Sequence, residues 1–121
     1  MAAKIKKTNP RLGALMATLR DASRENEAGV WREIAKRLET SSKNYAEVNL
    51  SKINRYAKEN ETIIVPGKVL GSGVLDQKVS VAALNFSETA AQKIQMNNGR
   101  CMSIEDLISE NPKGTKVRVL R

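Results

Sequence analysis

The stretch from Thr62 to Leu75, reading Thr-Ile-Ile-Val-Pro-Gly-Lys-Val-Leu-Gly-Ser-Gly-Val-Leu, limits what this chain can fold into more than any other. Three of the seven glycines fall inside it, Gly67, Gly71 and Gly73, interleaved with Ile63, Ile64, Val65, Val69 and Val74. Aliphatic residues punctuated by glycine read as short buried strands joined by tight turns. Pro66 presets φ for the second residue of a turn and Gly67 can take the positive φ that a type II turn needs next, so a turn is expected there with Lys68 emerging from it. Side-chain bulk nearly vanishes around Gly71 and Gly73, which lets another backbone, of protein or of nucleic acid, approach closely.

Glycines beside a lysine raise the question of a nucleotide cradle, and spacing answers it. A phosphate-binding P-loop needs lysine after its last glycine and then Ser or Thr opening a helix; here Val69 and Leu70 follow Lys68 and continue as strand. A dinucleotide fingerprint would need glycine at position 76, which is Asp76, and the spacing from Gly67 to Gly71 is not that of a KH-type clamp. A structural turn remains, with Lys68 either incidental or facing RNA.

At 121 residues the chain suits one domain that buries roughly two-thirds of its unfolded surface. Its 21 Lys and Arg against 13 Asp and Glu give a net charge of +8, which calls for a polyanionic partner, and nucleic acid is the usual one. The charge is lopsided: residues 1–58 hold 13 basic and 6 acidic side chains, whereas 59–121 hold 8 and 7. The front half is therefore expected to make the contact. With no histidine and a single cysteine, Cys101, the commonest general base and the thiolate metal cage are both missing, so no catalytic group, metal or cofactor is expected. Only Trp31, Tyr45, Tyr56 and Phe86 are aromatic, too few for a platform on which single-stranded bases stack. No apolar run reaches the length of a signal or membrane segment, so a cytoplasmic protein without a membrane partner is expected.

Along the chain, residues 1–8 read as a basic arm carrying Lys4, Lys6 and Lys7, and residues 9–121 as the domain proper. Asn9 and Pro10 form a helix start, and Leu12, Leu15, Met16 and Leu19 mark one helical face. Ser23 to Gly29 reads as a polar turn. A second helix follows with Val30, Trp31, Ile34, Ala35 and Leu38 inward, a Glu33–Arg37 pair at i, i+4, and Arg32 and Lys36 one turn apart as phosphate candidates. Two helices and a turn suggest a helix-turn-helix, yet the link reads as too long and the second helix opens on apolar Val30 and Trp31 instead of base-reading side chains.

Thr40 to Asn44 is a polar loop with Lys43. A short helix capped by Asn49 then turns Leu50, Ile53, Tyr56 and Ala57 inward, leaving Lys52, Arg55 and Lys58 as a basic stripe on the outside. From Ser51 to Lys58 there is no acidic residue, which favours phosphate contact over simple solvation. Glu59 and Glu61 flank no nucleophile or metal ligand and read as an exposed turn. Beyond the glycine stretch, Val79, Val81 and Ala83 alternate as a strand, Ser87 caps a helix to about Met96, and Arg100 to Met102 forms another strand. Ser103 with Asp106 opens a last helix through Ile108, and Lys116 to Leu120 closes as a strand. Strands and helices thus alternate in short units, an α/β pattern.

Taken together, Tyr45-Ala-Glu-Val-Asn-Leu-Ser-Lys-Ile, Ile64-Val-Pro-Gly-Lys-Val-Leu-Gly-Ser-Gly-Val-Leu, and Val79 to Phe86 followed by Ser-Glu-Thr-Ala closely resemble the archaeal and eukaryotic large-subunit ribosomal protein family "eighteen-e". The likeness runs from about Lys7 to Arg121. It implies an α/β domain of irregular strand-helix repeats with a small mixed sheet, similar to the C-terminal part of bacterial large-subunit protein "fifteen". It also implies a non-enzymatic constituent of the large subunit that binds large-subunit ribosomal RNA, takes part in translation, neighbours other ribosomal proteins and has no small-molecule substrate. On that resemblance the arm lysines, Arg11, Lys52, Arg55 and Lys68 face RNA. Relatives are more basic after the second helix, where this chain has Ser41, Ser42 and Lys43. An RNA-binding assembly factor and a DNA-binding regulator are the rival readings.

Overall fold

The computed structural model describes residues 10–39, 45–58 and 61–121; the expected basic arm, the Asn9 cap, the Lys43 loop and Glu59 lie outside them. The described chain runs α1 (Pro10–Asn26), α2 (Gly29–Leu38), β1 (Ala46–Asn49), α3 (Leu50–Tyr56), β2 (Thr62–Leu70), β3 (Ser80–Phe86), α4 (Glu88–Met96), β4 (Arg100–Ser103), α5 (Ile104–Glu110) and β5 (Val117–Val119). The α/β class expected from the sequence is the one observed.

Strand order is β1-β2-β3-β4, and β5 joins β2 on the same edge as β1: Thr62 to Ile64 pair with β5, Gly67 to Leu70 with β1. Where the resemblance implies a mixture of strand directions, all four pairings among the described residues are parallel. Each successive strand is reached through a helix or a long loop, the only way a chain can return to start a parallel neighbour.

Helices cover both faces, and this explains the unbroken apolar run Ile63-Ile64-Val65. Ile64 joins Leu15, Leu19, Trp31, Ile34, Leu38, Ala82 and Ile108 under α1, α2 and α5. Ile63 and Val65 turn the other way, onto Leu50, Ile53, Val81, Ala83, Ala90 and Ile94 under α3 and α4. Side-chain alternation thus feeds two cores from one strand. Trp31 is fully buried and its indole N–H donates to the Pro112 carbonyl at 2.7 Å, satisfying its one polar atom.

Several local expectations are corrected. Pro66 and Gly67 form no type II turn: β2 runs through both, neither has positive φ, and the register with β3 shifts between Val65 and Lys68. The pair is a bulge, where proline's missing donor is tolerated in a strand. Gly67 is required by packing, since a Cβ there would sit 2.7 Å from the backbone nitrogen of Ala46 on β1.

Ser23 to Asn26 are helical rather than a turn, because polar side chains at the exposed end of a helix find local partners. Arg24 pairs with Asp21, and the Asn26 side-chain amide donates to the Ala22 carbonyl at 3.0 Å. The helix ends at Glu27, which takes a left-handed φ of 52°, while the Ala28 N–H returns to the Ser23 carbonyl at 3.1 Å in a Schellman closure. The α1–α2 link is therefore two residues, Glu27 and Ala28, and the length argument against a helix-turn-helix falls away. The first turn of α2 is still unsuited to base reading, because Trp31 is locked in the core.

Two of the remaining helix signals behave as written in the sequence and two do not. Ser87 Oγ accepts from the Ala90 N–H at 3.1 Å and Ser103 Oγ from the Asp106 N–H at 3.0 Å, so both caps are real. Asn49 occupies the cap position of α3 without a capping bond from its side chain. Tyr56, expected inward, is 43% exposed, since the seven-residue α3 fills its inner face with Leu50 and Ile53 alone.

Candidate nucleic-acid interface

The two-residue link folds α2 back against α1, and their polar faces enclose a groove of about 550 Å³ lined by Arg20, Ser23, Arg24, Arg32, Lys36 and Glu39, with Ala35 at its base. Arg32 and Lys36 are exposed on successive turns of α2, and neither has an ion-pair partner among the described residues. Facing them from α1, Arg20 pairs with Glu39 and Arg24 with Asp21. Four cationic residues thus line one concavity, with Glu39 the one acidic residue in its lining.

Sequence reasoning found Arg32 and Lys36 and missed Arg20 and Arg24. Their i, i+4 spacing on α1 was a signal, but only the sharp Glu27–Ala28 reversal turns that face toward α2. Glu33 and Arg37 pair at 3.2 Å, as their spacing predicts.

The α3 stripe is broken in space. Arg55 is exposed on the helix, but Lys52 is half-buried and donates to the backbone oxygen of Arg121. Lys58 lies beyond the helix end, because Ala57 is extended with ψ 134°. Three lysine and arginine side chains at i, i+3, i+6 form one line only while the helix lasts.

Lys68 is exposed near the C-terminal end of β2. In-register pairing places it between Glu47 of β1 and Asn85 of β3. The glycine loop beyond it is pinned to its own protein. A Cβ at Gly71 would lie 2.7 Å from Thr89 Cβ and 2.9 Å from the Ala90 nitrogen, and Gly73, with φ of 90°, packs against Ser51. Lys93 of α4 donates to the carbonyls of Gly71 at 2.8 Å and Gly73 at 3.1 Å. The close approach these glycines allow is made by this chain.

Arg11 belongs to the first turn of α1, its side chain outside the description, as are Lys4, Lys6, Lys7 and Lys43. Glu61, read from sequence as an exposed turn residue, is instead half-buried. It accepts from Arg118 Nε at 2.9 Å, and that hydrogen bond holds its carboxyl below the usual range. Arg100 and Glu110 form a bidentate pair at 3.0 and 2.9 Å. Burial pushes the half-buried Cys101 thiol above its usual range. Among the described residues no cluster of three or more His, Cys, Asp or Glu is placed to hold a metal, and no helix is long and apolar enough to cross a membrane.

The chain is similar over its whole length to archaeal proteins described as "Large ribosomal subunit protein eL18". That of Methanoregula boonei is 68% identical over 117 residues, 97% of each chain, and that of Methanosphaerula palustris 63% over 121 residues, all of both. The protein from Halobacterium salinarum is 52% identical over 115 residues, 95% of this chain and 98% of its own. A family model described as "Ribosomal protein 60S L18 and 50S L18e" matches residues 2–121, and the chain belongs to that family.

Proposed function

We propose that the protein is a structural constituent of the large ribosomal subunit, holding large-subunit ribosomal RNA through phosphate contacts and shape, in the cytoplasm and beside other ribosomal proteins. The observation that carries this reading is the grouping of Arg20, Arg24, Arg32 and Lys36 in the lining of one groove in a chain of net charge +8. Phosphate oxygens are the ligands that guanidinium and ammonium groups recognise most strongly, and each contact releases condensed counterions from the nucleic acid. Arg55, exposed on α3, adds a contact, as do Lys52 on the same helix, Lys58 just beyond it, Arg11, the arm lysines Lys4, Lys6 and Lys7, and Lys43, while Lys68 meets the RNA separately from the sheet. Gly71 and Gly73 serve by letting the loop after β2 fold flat beneath Lys93. The protein performs no reaction.

RNA duplexes hide their base edges in a deep narrow groove, so a rigid basic body reads the fold of the RNA more than its sequence. Binding to a large-subunit RNA fragment is the test. With about six of these cations on phosphate at any one time, affinity falls roughly a thousandfold between 50 and 200 mM salt. A flat salt titration, or absence of the protein from large subunits washed at high salt, overturns the reading; the second result alone favours an assembly factor.

A further inference from the structure

A second concavity, of about 300 Å³, opens on the sheet where α1 and α2 leave it uncovered, and its chemistry differs from that of the helix groove. Its lining includes Tyr45, Glu47, Lys68, Leu84 and Asn85. Glu47 pairs in register with Lys68, and Lys68 with Asn85, so three polar side chains stand in a row across β1, β2 and β3. All three are exposed, and no ion pair joins Glu47 to Lys68 although they are neighbours. Half-buried Tyr45 and Leu84 bound the row with apolar surface. Tyr45 is fixed there because its hydroxyl donates to the Leu38 carbonyl at 2.9 Å.

We propose that this pocket receives one unstacked guanine base of the bound RNA, an inference that rests on the RNA reading above. A carboxylate accepts hydrogen bonds only, an ammonium donates only, and an amide does both. Guanine is the base whose Watson–Crick edge sets two adjacent N–H donors beside a carbonyl oxygen. Glu47 accepts from N1 and N2, Lys68 donates to O6, and Asn85 serves the remaining edge. Adenine and cytosine offer Glu47 one donor at most beside ring acceptors, and uracil offers a single N–H flanked by two oxygens. The ring of Tyr45 and the side chain of Leu84 give the base a dry wall, as aromatic and apolar side chains do for bases splayed out of RNA loops. The pocket thus supplies the sequence specificity that phosphate contacts lack.

The test probes a complex of the protein with large-subunit ribosomal RNA using a reagent that adds across N1 and N2 of unpaired guanine, alongside hydroxyl-radical cleavage of the backbone. Wild-type protein shields one guanine. Glu47→Ala and Glu47→Gln, both at an exposed position, expose it again and bind roughly tenfold more weakly, the loss expected for one bidentate base contact, with backbone protection unchanged. Replacing that guanine by inosine, which lacks the N2 amino group, weakens wild-type binding but not that of Glu47→Ala. Backbone protection without any guanine whose shielding depends on Glu47 overturns the pocket and leaves the RNA reading intact. Absence of backbone protection overturns both. Shielding seen only in the complete subunit and indifferent to inosine assigns the pocket to a neighbouring protein and overturns the proposal.

Discussion

Gly67 of β2 passes Ala46 of β1 so closely that a single methyl group on the glycine would lie 2.7 Å from the Ala46 backbone nitrogen and 2.8 Å from its carbonyl carbon. Both obstacles are backbone, held by the parallel pairing that runs from Ala46–Gly67 to Asn49–Leu70, so neither can yield without parting the strands. Gly67→Ala is therefore expected to cost at least about 2 kcal/mol, at the upper side of ordinary overpacking. Urea unfolding measures this directly. An unchanged midpoint would mean that the two strands are not this close.

The ammonium of Lys93 ties the loop after β2 to α4 through the Gly71 and Gly73 carbonyls, and the same loop accepts the Ser51 N–H at the Ser72 carbonyl, 3.2 Å away. Lys93→Met keeps the aliphatic stem and removes both donors. The expected cost is about 1 kcal/mol, reduced from a buried charge-assisted bond because the ammonium is partly solvated. Hydrogen exchange should show the Ser51 amide opening faster while amides of β3 keep their protection. Uniform destabilisation across the sheet would show instead that the loop unfolds only with the whole domain.

Acid should weaken the fold through two carboxylates. Hydrogen bonds from Arg118 and from Arg100 hold Glu61 and Glu110 below their ordinary value of 4.5 in the folded protein. In acid the unfolded chain then binds more protons than the folded one, so this stabilisation is complete above about pH 4.5 and is lost as pH falls through the lowered folded values. Glu61 dominates, because its pair is 33% and 22% exposed, whereas that of Arg100 and Glu110 is 57% and 49% exposed and more fully screened. Urea midpoints measured from pH 7 to pH 3 should fall below pH 4.5, and Glu61→Gln should flatten that fall while lowering stability at neutral pH. An unaltered acid limb in the variant would remove the pair from the account.

What the sequence made legible followed from local chemistry. Ser87 and Ser103 cap the helices they were assigned to, because a cap needs only its own helix, and Trp31, Ile34 and Leu38 face inward at the period of α2. The failures share a different cause: the deciding partner is distant in sequence. Gly67 looks like a turn residue until Ala46 is placed beside it, and Pro66 looks like a breaker until the bulge absorbs it. Ser23 to Asn26 look like a loop because their polarity matches both a turn and a solvated helix end. The site suffered likewise. Lys52, Arg55 and Lys58 were joined by a helix that stops at Tyr56, while Arg20 and Arg24 became part of a groove through a reversal at Glu27 that has no glycine to announce it.

That groove yields the sharpest functional prediction. Arg32 and Lys36 are exposed, so Arg32→Ala with Lys36→Ala should leave the melting temperature within a degree or two while weakening RNA binding. Each lost phosphate contact should also lower the magnitude of the salt slope, d log K/d log [salt], by about one. Arg20 and Arg24 behave differently because each already holds a carboxylate, Glu39 and Asp21 respectively, and must release or share it to meet a phosphate. Removing the competitor of Arg20 with Glu39→Gln should therefore tighten binding and steepen the salt slope, the opposite sign from the cation deletions. Charge alone predicts the same sign for any acidic residue, so the control is Glu88→Gln on α4, away from the groove, which should change affinity by much less. Equal effects of the two glutamine variants would show that the protein's overall charge, and not the concavity between the two helices, governs binding.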